Sequence, residues 1–170
     1  MGSVASHKPI LHFAPPLAEG TEASILFRPE FLFSDGLNIP VEINAANIFL
    51  LANPDKKYKS VTVLAHLDTG ASSTSIDLSL AEKLELEATG TCKIATAAGV
   101  FPVPTFTVNI GFPNTNLSPF VDLKINSCNL NYDYSAPPSP SNFGLLLGRD
   151  IMSRWNIVWN GPTSTVFIND

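Results

Sequence analysis

Residues 61–72 read Val61-Thr62-Val63-Leu64-Ala65-His66-Leu67-Asp68-Thr69-Gly70-Ala71-Ser72. An apolar, β-branched run delivers a carboxylate to a tight turn closed by glycine. A carboxylate that does chemistry has to be held rigid, partly desolvated and hydrogen-bonded by local backbone amides, and a strand end followed by Thr-Gly meets those needs. The threonine hydroxyl can tie the loop down, and glycine lets backbone approach closely. Alone, the tripeptide says little: Asp-Thr-Gly arises by chance in roughly a few per cent of chains this long. An aspartate in an ordinary β-turn would read the same way.

Working outward, the texture is strand and turn. The runs Ile25–Phe33, Ile39–Ile43, Asn47–Leu51, Ser60–Leu67, Thr91–Thr96, Val100–Ile110, Phe120–Asn126, Phe143–Leu147 and Thr165–Ile168 read as strands. Ser34-Asp35-Gly36 and Asn53-Pro54-Asp55 are turn signals between them. Two helices are predicted. One covers Leu78 to Leu86, with Leu80, Ala81 and Leu84 on one face and Asp77 as N-cap. The other is shorter and covers Asp150 to Trp155. Between them stands Ile94-Ala-Thr96-Ala97-Ala98-Gly99-Val-Phe-Pro-Val-Pro-Thr-Phe106, two β runs joined by a small-residue turn. Further on, Leu145-Leu146-Leu147-Gly148-Arg149-Asp150-Ile151 is an apolar strand, a glycine and a charged helix start. Residues 111–142 carry five prolines, at 113, 119, 137, 138 and 140, and part of that stretch should be a surface excursion. Residues 1–24 show no sustained periodicity and read as a flexible arm, leaving 25–170 as one domain. The expected fold class is all-β with one or two short helices.

Composition fits a folded domain and narrows its partners. Of 170 residues, 45% are hydrophobic and 15% charged, with a net charge of −5. Mean hydropathy is +0.17 and the pI is near 5.1, so the chain is neither disordered by composition nor basic. The longest basic cluster is Lys56, Lys57 and Lys59, which is no stripe for nucleic acid. No run reaches the roughly 18 apolar residues of a spanning helix. The N-terminus lacks the basic-then-apolar order of a signal peptide. The expectation is a soluble, cytoplasmic protein that binds neither nucleic acid nor membrane. Cys92 and Cys128 are too few for a disulfide scaffold or a zinc site.

The order Leu67-Asp68-Thr69-Gly70-Ala71-Ser72, helix, Thr96-Ala97-Ala98-Gly99 hairpin, Leu146-Leu147-Gly148-Arg149-Asp150 resembles the retropepsin-like, or retroviral-type, aspartic proteases over roughly residues 35 to 170. The resemblance implies an acid-protease barrel subunit that pairs about a two-fold axis, and an endopeptidase that uses no metal or organic cofactor. It implies that Asp68 is the catalytic carboxylate. Thr69 would interlock with its counterpart in a second copy, and Gly70 would allow close approach to the catalytic pair. Ala97, Ala98 and Gly99 would form the tip of a flap over a polypeptide substrate. Leu146, Leu147 and Gly148 would thread beside the catalytic loop, Arg149 would brace its base, and Thr165–Ile168 would help form the dimer interface. Chemistry points to the dimer as well. Hydrolysis by this route needs two carboxylates sharing a proton, and the chain has one Asp-Thr-Gly. Viral members place an acidic residue soon after the tripeptide, as partner for the arginine. Here Ser72 and Ser73 stand there, so Arg149 needs another acceptor, Asp150 or a backbone carbonyl. Ala71 has no hydroxyl to offer an ionised aspartate, which points to a mildly acidic optimum.

Other features carry blander readings. His66 shares a strand face with Asp68 but reads first as a packed or edge histidine. As the one histidine in the domain, it supports neither a metal site nor a Ser-His-Asp triad. Trp155 reads as core. Asn116-Leu117-Ser118 has a glycosylation spacing, but Pro119 follows.

Overall fold

In a computed structural model, the described residues are 12–13, 24–26, 36–52, 55–56, 58–96, 99–137, 139, 141–163 and 165–170, with side chains omitted at 12–13 and 24–26. Residues 27–33 of the strand expected over Ile25–Phe33, most of the arm, and Ala97 and Ala98 lie outside them. In chain order the elements are β1 (His12–Phe13), β2 (Ser24–Leu26), β3 (Asn38–Ala45), α1 (Asn47–Ala52), β4 (Val61–Leu67), β5 (Ser75–Asp77) and α2 (Leu78–Lys83). There follow β6 (Ala88–Thr96), β7 (Gly99–Gly111), β8 (Phe120–Cys128), β9 (Leu145–Leu147), α3 (Arg149–Met152), β10 (Asn156–Asn160) and β11 (Thr165–Asn169). The structure is mostly β with short helices, as expected.

Seven strands form one sheet in the order β3-β4-β9-β5-β8-β7-β6, and β3 also pairs with β7. That extra pairing rolls six strands into a closed ring and leaves β6 attached to β7 alone. Alternation explains the ring. Ile39, Val41 and Ile43 of β3 are buried while Glu42 is exposed, and Val63 and Ala65 of β4 face the same interior. Val108 and Ile110 of β7, Ile125 of β8 and Leu145 and Leu147 of β9 complete the filling. Each such side chain stabilises the fold by roughly 1.5–3 kcal/mol relative to exposure. Pro40 is tolerated inside β3 because β7 pairs only with Glu42–Ala45, so the outer edge at residue 40 needs no donor.

A second sheet, in the order β1-β2-β11-β10, is continuous with the same core through Val166 and Ile168. Trp155 belongs there too, with its ring edge-on to Phe112 at 5.0 Å between centroids.

Several elements differ from the sequence reading. Residues 47–51, expected as a strand, are the helix α1, whose first turn closes onto the Ala46 carbonyl. A short apolar run does not by periodicity distinguish strand from helix. Here no α1 residue is buried, so no sheet face draws the run into extended form. The strands β1, β5 and β10 were not anticipated, and β1, which pairs with β2, lies in the stretch 1–24 expected as a flexible arm. β5 is three residues long, and its identity comes wholly from its neighbours β9 and β8. The last helix is the single turn Arg149–Met152, ending before Trp155.

Asp77 joins α2 to the barrel. Its Oδ1 accepts from the Ser79 N–H at 2.9 Å and the Ser79 hydroxyl, and its Oδ2 accepts from the Leu130 N–H at 2.8 Å and the Tyr132 N–H at 3.4 Å. Burial alone would raise its pKa, but these hydrogen bonds outweigh burial and hold the carboxyl below the ordinary aspartate value. A carboxyl with a depressed folded-state pKa contributes stability above its unfolded value, and loses it as pH falls through the folded one. Denaturation at pH 6 and pH 3 should therefore show a loss of stability in acid that is smaller in Asp77→Asn. Asp77→Ala, which strips the cap and leaves the half-buried N–H groups of Leu130 and Tyr132 without their acceptor, should cost about 2 kcal/mol in a urea melt at neutral pH.

Candidate active site

β4 carries Asp68 to the rim of the barrel, and β9 holds it there. Leu67 donates its N–H to the Leu37 carbonyl at 2.9 Å, and Asp68 donates its N–H to the Leu147 carbonyl at 3.0 Å. The turn closes when the Ala71 N–H reaches the Asp68 carbonyl at 3.1 Å. Inside that turn the Gly70 N–H donates to Asp68 Oδ1 at 2.7 Å. A Cβ on Gly70 would stand 3.0 Å from that same oxygen, so glycine gives the carboxylate its amide without crowding it. Asp68 is half-buried, whereas Thr69 and Gly70 are exposed. The carboxylate is thus anchored on one side and open on the other.

The second half of the site comes from a segment about 80 residues away. β9 slots between β4, to which it is parallel, and β5, to which it is antiparallel. This brings Leu147, Gly148 and Arg149 against the loop after Asp68. The Arg149 N–H donates to the Ala71 carbonyl at 3.0 Å, and Arg149 Nη1 donates to the Thr69 carbonyl at 2.6 Å. A backbone carbonyl therefore takes the place of the carboxylate that Ser72 and Ser73 do not supply. Gly148 runs so close to residue 73 that a Cβ would lie 2.5 Å from the Ser73 carbonyl carbon. That contact is backbone on backbone, and no rotamer relieves it.

Beneath the loop, Thr74 is fully buried. Its hydroxyl donates to Asp150 Oδ1 at 2.8 Å and accepts the Gly148 N–H at 3.1 Å, while its own N–H donates to Asp150 Oδ2 at 2.9 Å. Asp150 Oδ1 also accepts the Ile151 N–H at 2.9 Å, inside the single turn of α3. Sequence reasoning missed both roles. Asp150 stood out only as a candidate partner for Arg149, and Thr74 has no local signal, since its partners are 74 and 76 residues away.

Of the remaining expected residues, Ala71 is half-buried in the turn, and Gly99 opens β7 with φ +131°. His66 does not reach Asp68. Its Nδ1 pairs with Asn38 Oδ1 at 3.0 Å and its ring stacks on Phe143 at 5.0 Å, the packed role. Gly36, at φ +68°, leaves the space that this ring fills. Cys92 and Cys128 are free thiols, and burial pushes the Cys128 pKa up to about 11, which keeps it protonated and unreactive. Among the described residues, no group of three His, Cys, Asp or Glu side chains could hold a metal ion, and no helix is long and apolar enough to cross a membrane.

A loop built this way can present a firmly held carboxylate to a bound molecule, and comparison with known proteins agrees on the class. The aspartyl protease family matches residues 56–150, more than half of the chain and the stretch from Asp68 to Asp150 that builds the site. The chain belongs to the aspartyl protease family. Among solved structures it is similar to a retropepsin-like aspartic protease from Rickettsia conorii, at 14% identity and a TM-score of 0.43 over 86% of this chain and 82% of that one. It is also similar to the retroviral protease-like domain of Ddi1 from Leishmania major, at 13% identity and a TM-score of 0.44 over 79% and 88%. No curated protein matches it significantly.

The support beneath the loop is open to test. Thr74→Val keeps the shape but removes the donor to Asp150 and the acceptor for Gly148, and should cost about 1–3 kcal/mol. Thr74→Ser should restore most of it. Gly148→Ala should cost at least about as much, through the backbone collision with Ser73. Urea melts of the three variants against the parent measure this.

Proposed function

We propose that this protein is an aspartic endopeptidase that acts on polypeptides as a homodimer, each copy contributing one Asp68. The observation that carries the reading is Asp68 itself. It belongs to an aspartyl protease family sequence, is pinned at a strand end by Leu147 and Gly70, and has its open side turned to solvent. Hydrolysis by two carboxylates needs one ionised and one protonated. The ionised Asp68 takes a proton from water as the water oxygen attacks the scissile carbonyl carbon. The protonated Asp68 of the other copy donates to the carbonyl oxygen. The tetrahedral intermediate collapses when its C–N bond breaks and the departing nitrogen takes a proton. Like charges at that distance do not both ionise, so the shared proton belongs to the pair.

With one Asp-Thr-Gly per chain, a two-fold axis beside Asp68 supplies the second carboxylate and sets Thr69 against its counterpart. In this reading Gly70, Ala71, Leu147, Gly148 and Arg149 are positioning residues for Asp68. The hairpin end at Ala97, Ala98 and Gly99 covers the bound peptide.

A peptide library incubated from about pH 3.5 to 7 and read by mass spectrometry tests the proposal. Parent protein should cut, with a maximum in the mildly acidic range rather than below about pH 3, where an ordinary aspartate is largely protonated. Asp68→Asn, nearly isosteric but unable to act as base or share the proton, should lose at least about a thousandfold in rate. Equal cutting by both would refute the assignment of Asp68. Absence of cutting by a protein that sediments as a dimer would favour a polypeptide-binding or dimerisation module of the same fold. Specific activity should fall on dilution as the dimer dissociates, and a strict monomer across micromolar concentrations would contradict the shared site.

A further inference from the structure

The hairpin β6–β7 leaves the barrel at a definite residue, and strand register shows which. The Leu67 N–H on the Leu37 carbonyl puts the odd residues of β3 on its β4 edge, so Glu42 and Asn44 bond to Gly111 and Asn109, and the odd residues of β7 share the edge that meets β3 and β6. Ile94–Phe101 and Cys92–Val103 are therefore the bonded pairs. Lys93–Pro102 and Thr91–Pro104 are the pairs between them. The ring nitrogens of Pro102 and Pro104 accordingly face away from β6, on the edge of β7 that meets β8.

The facing strand is oriented by independent evidence. Asn126 donates its N–H to the Thr74 carbonyl at 3.1 Å, on the β5 side, so the N–H and carbonyl of Ser127 point towards β7. Pro104 thus stands opposite Ser127. Its carbonyl takes the Ser127 N–H, the bond that flanks the Thr105–Asn126 pair, but the next rung, Val103 with Cys128, requires the N–H of residue 104 to reach the Ser127 carbonyl. Proline has none. The observed β7–β8 pairing ends one step earlier, at Thr105 with Asn126, although β7 runs on to Gly99 and β8 to Cys128. The β7–β8 ladder thus stops at the proline, although both strands run on.

We propose that Pro104 is a positioning residue that fixes where the two-stranded arm separates from the barrel, so that residues 91–96 and 99–104 move as a unit about Thr105. Pro102, one bonded step further out, also lacks an N–H on that edge but has no β8 residue opposite it. Beyond the bond between Pro104 and Ser127, between residues 100 and 103, the free edge presents the carbonyls of Val100 and Pro102 but only the N–H of Val100. Such an edge does not zip back onto β8 and does not add a foreign strand. The inference draws on the proposed proteolytic function only for its activity readout.

Amide hydrogen exchange by NMR on Pro104→Val and Pro102→Val, with Pro104→Ala as a second variant at the same site, tests it. At residue 104 the new amide has Ser127 as its acceptor, and should exchange at least about tenfold more slowly than the new amide at 102, the value of one net backbone hydrogen bond. The amides of Phe101 and Val103, which bond to β6, should slow with it as the arm opens less. On the proposed function, Pro104→Val should lower kcat severalfold with KM little changed, while Pro102→Val leaves both near the parent. Equal, fast exchange of the new amides in all three variants would overturn the proposal, since the strands would then diverge without help from proline. If the parent cleaves no peptide, the functional reading fails while the exchange rates still decide the role of Pro104.

Discussion

The structure turns on the insertion of β9 between β4 and β5. That one placement brings a glycine against the Ser73 backbone, a buried threonine hydroxyl against an N–H 74 residues away, and a carbonyl onto the Asp68 amide. Joining segments so distant costs loop-closure entropy, which rises only slowly with length. Hydrogen bonds shared by Thr74, Gly148 and Asp150, together with burial of Leu145 and Leu147, offset it. Every group in the knot is both a partner and a constraint. Removing one leaves another buried and unpaired, and this is why the loop above it is rigid.

Rigidity beneath and openness above is the useful combination. Asp68 receives an amide from Gly70 inside its own turn and is steadied through Leu147 from below, while Arg149 fastens the Thr69 carbonyl from the side. The arginine shows how a departure from a family pattern can be absorbed. Where a carboxylate partner is missing, a backbone acceptor within reach does the bracing. The same economy appears at the prolines. Pro40, Pro102 and Pro104 all sit in strands, each with its nitrogen on an edge that has no β partner at that residue.

How much of this was legible in advance differs by element. Long strands with regular alternation, such as β3, β4 and β7, could be placed from their letters because one face is apolar and the period is two. So could α2, whose Asp77 cap lies within two residues of the amide it serves. Residues 47–51 were misread because Ile-Phe-Leu-Leu suits either period, and only the missing sheet partner decides for helix. β5 could not be read at all, since three residues carry no period. His66 looked close to Asp68 along the strand, yet Asn38 and Phe143, both distant in sequence, claim its ring.

The sequence by itself determined the class, the carboxylate and the turn that holds it. Asp68, Thr69 and Gly70 are adjacent, and their geometry follows from local backbone chemistry. It also determined that one chain carries one such tripeptide, and that Gly148 and Arg149 follow an apolar strand. Only the tertiary structure decided what supports the loop: Thr74 under Gly148, Asp150 beneath Thr74, and the Thr69 carbonyl as acceptor for Arg149. Those are hydrogen bonds between residues 74 to 80 positions apart. No local pattern encodes them, because their partners are fixed by the order in which strands lie in the barrel and not by the order in which residues follow along the chain.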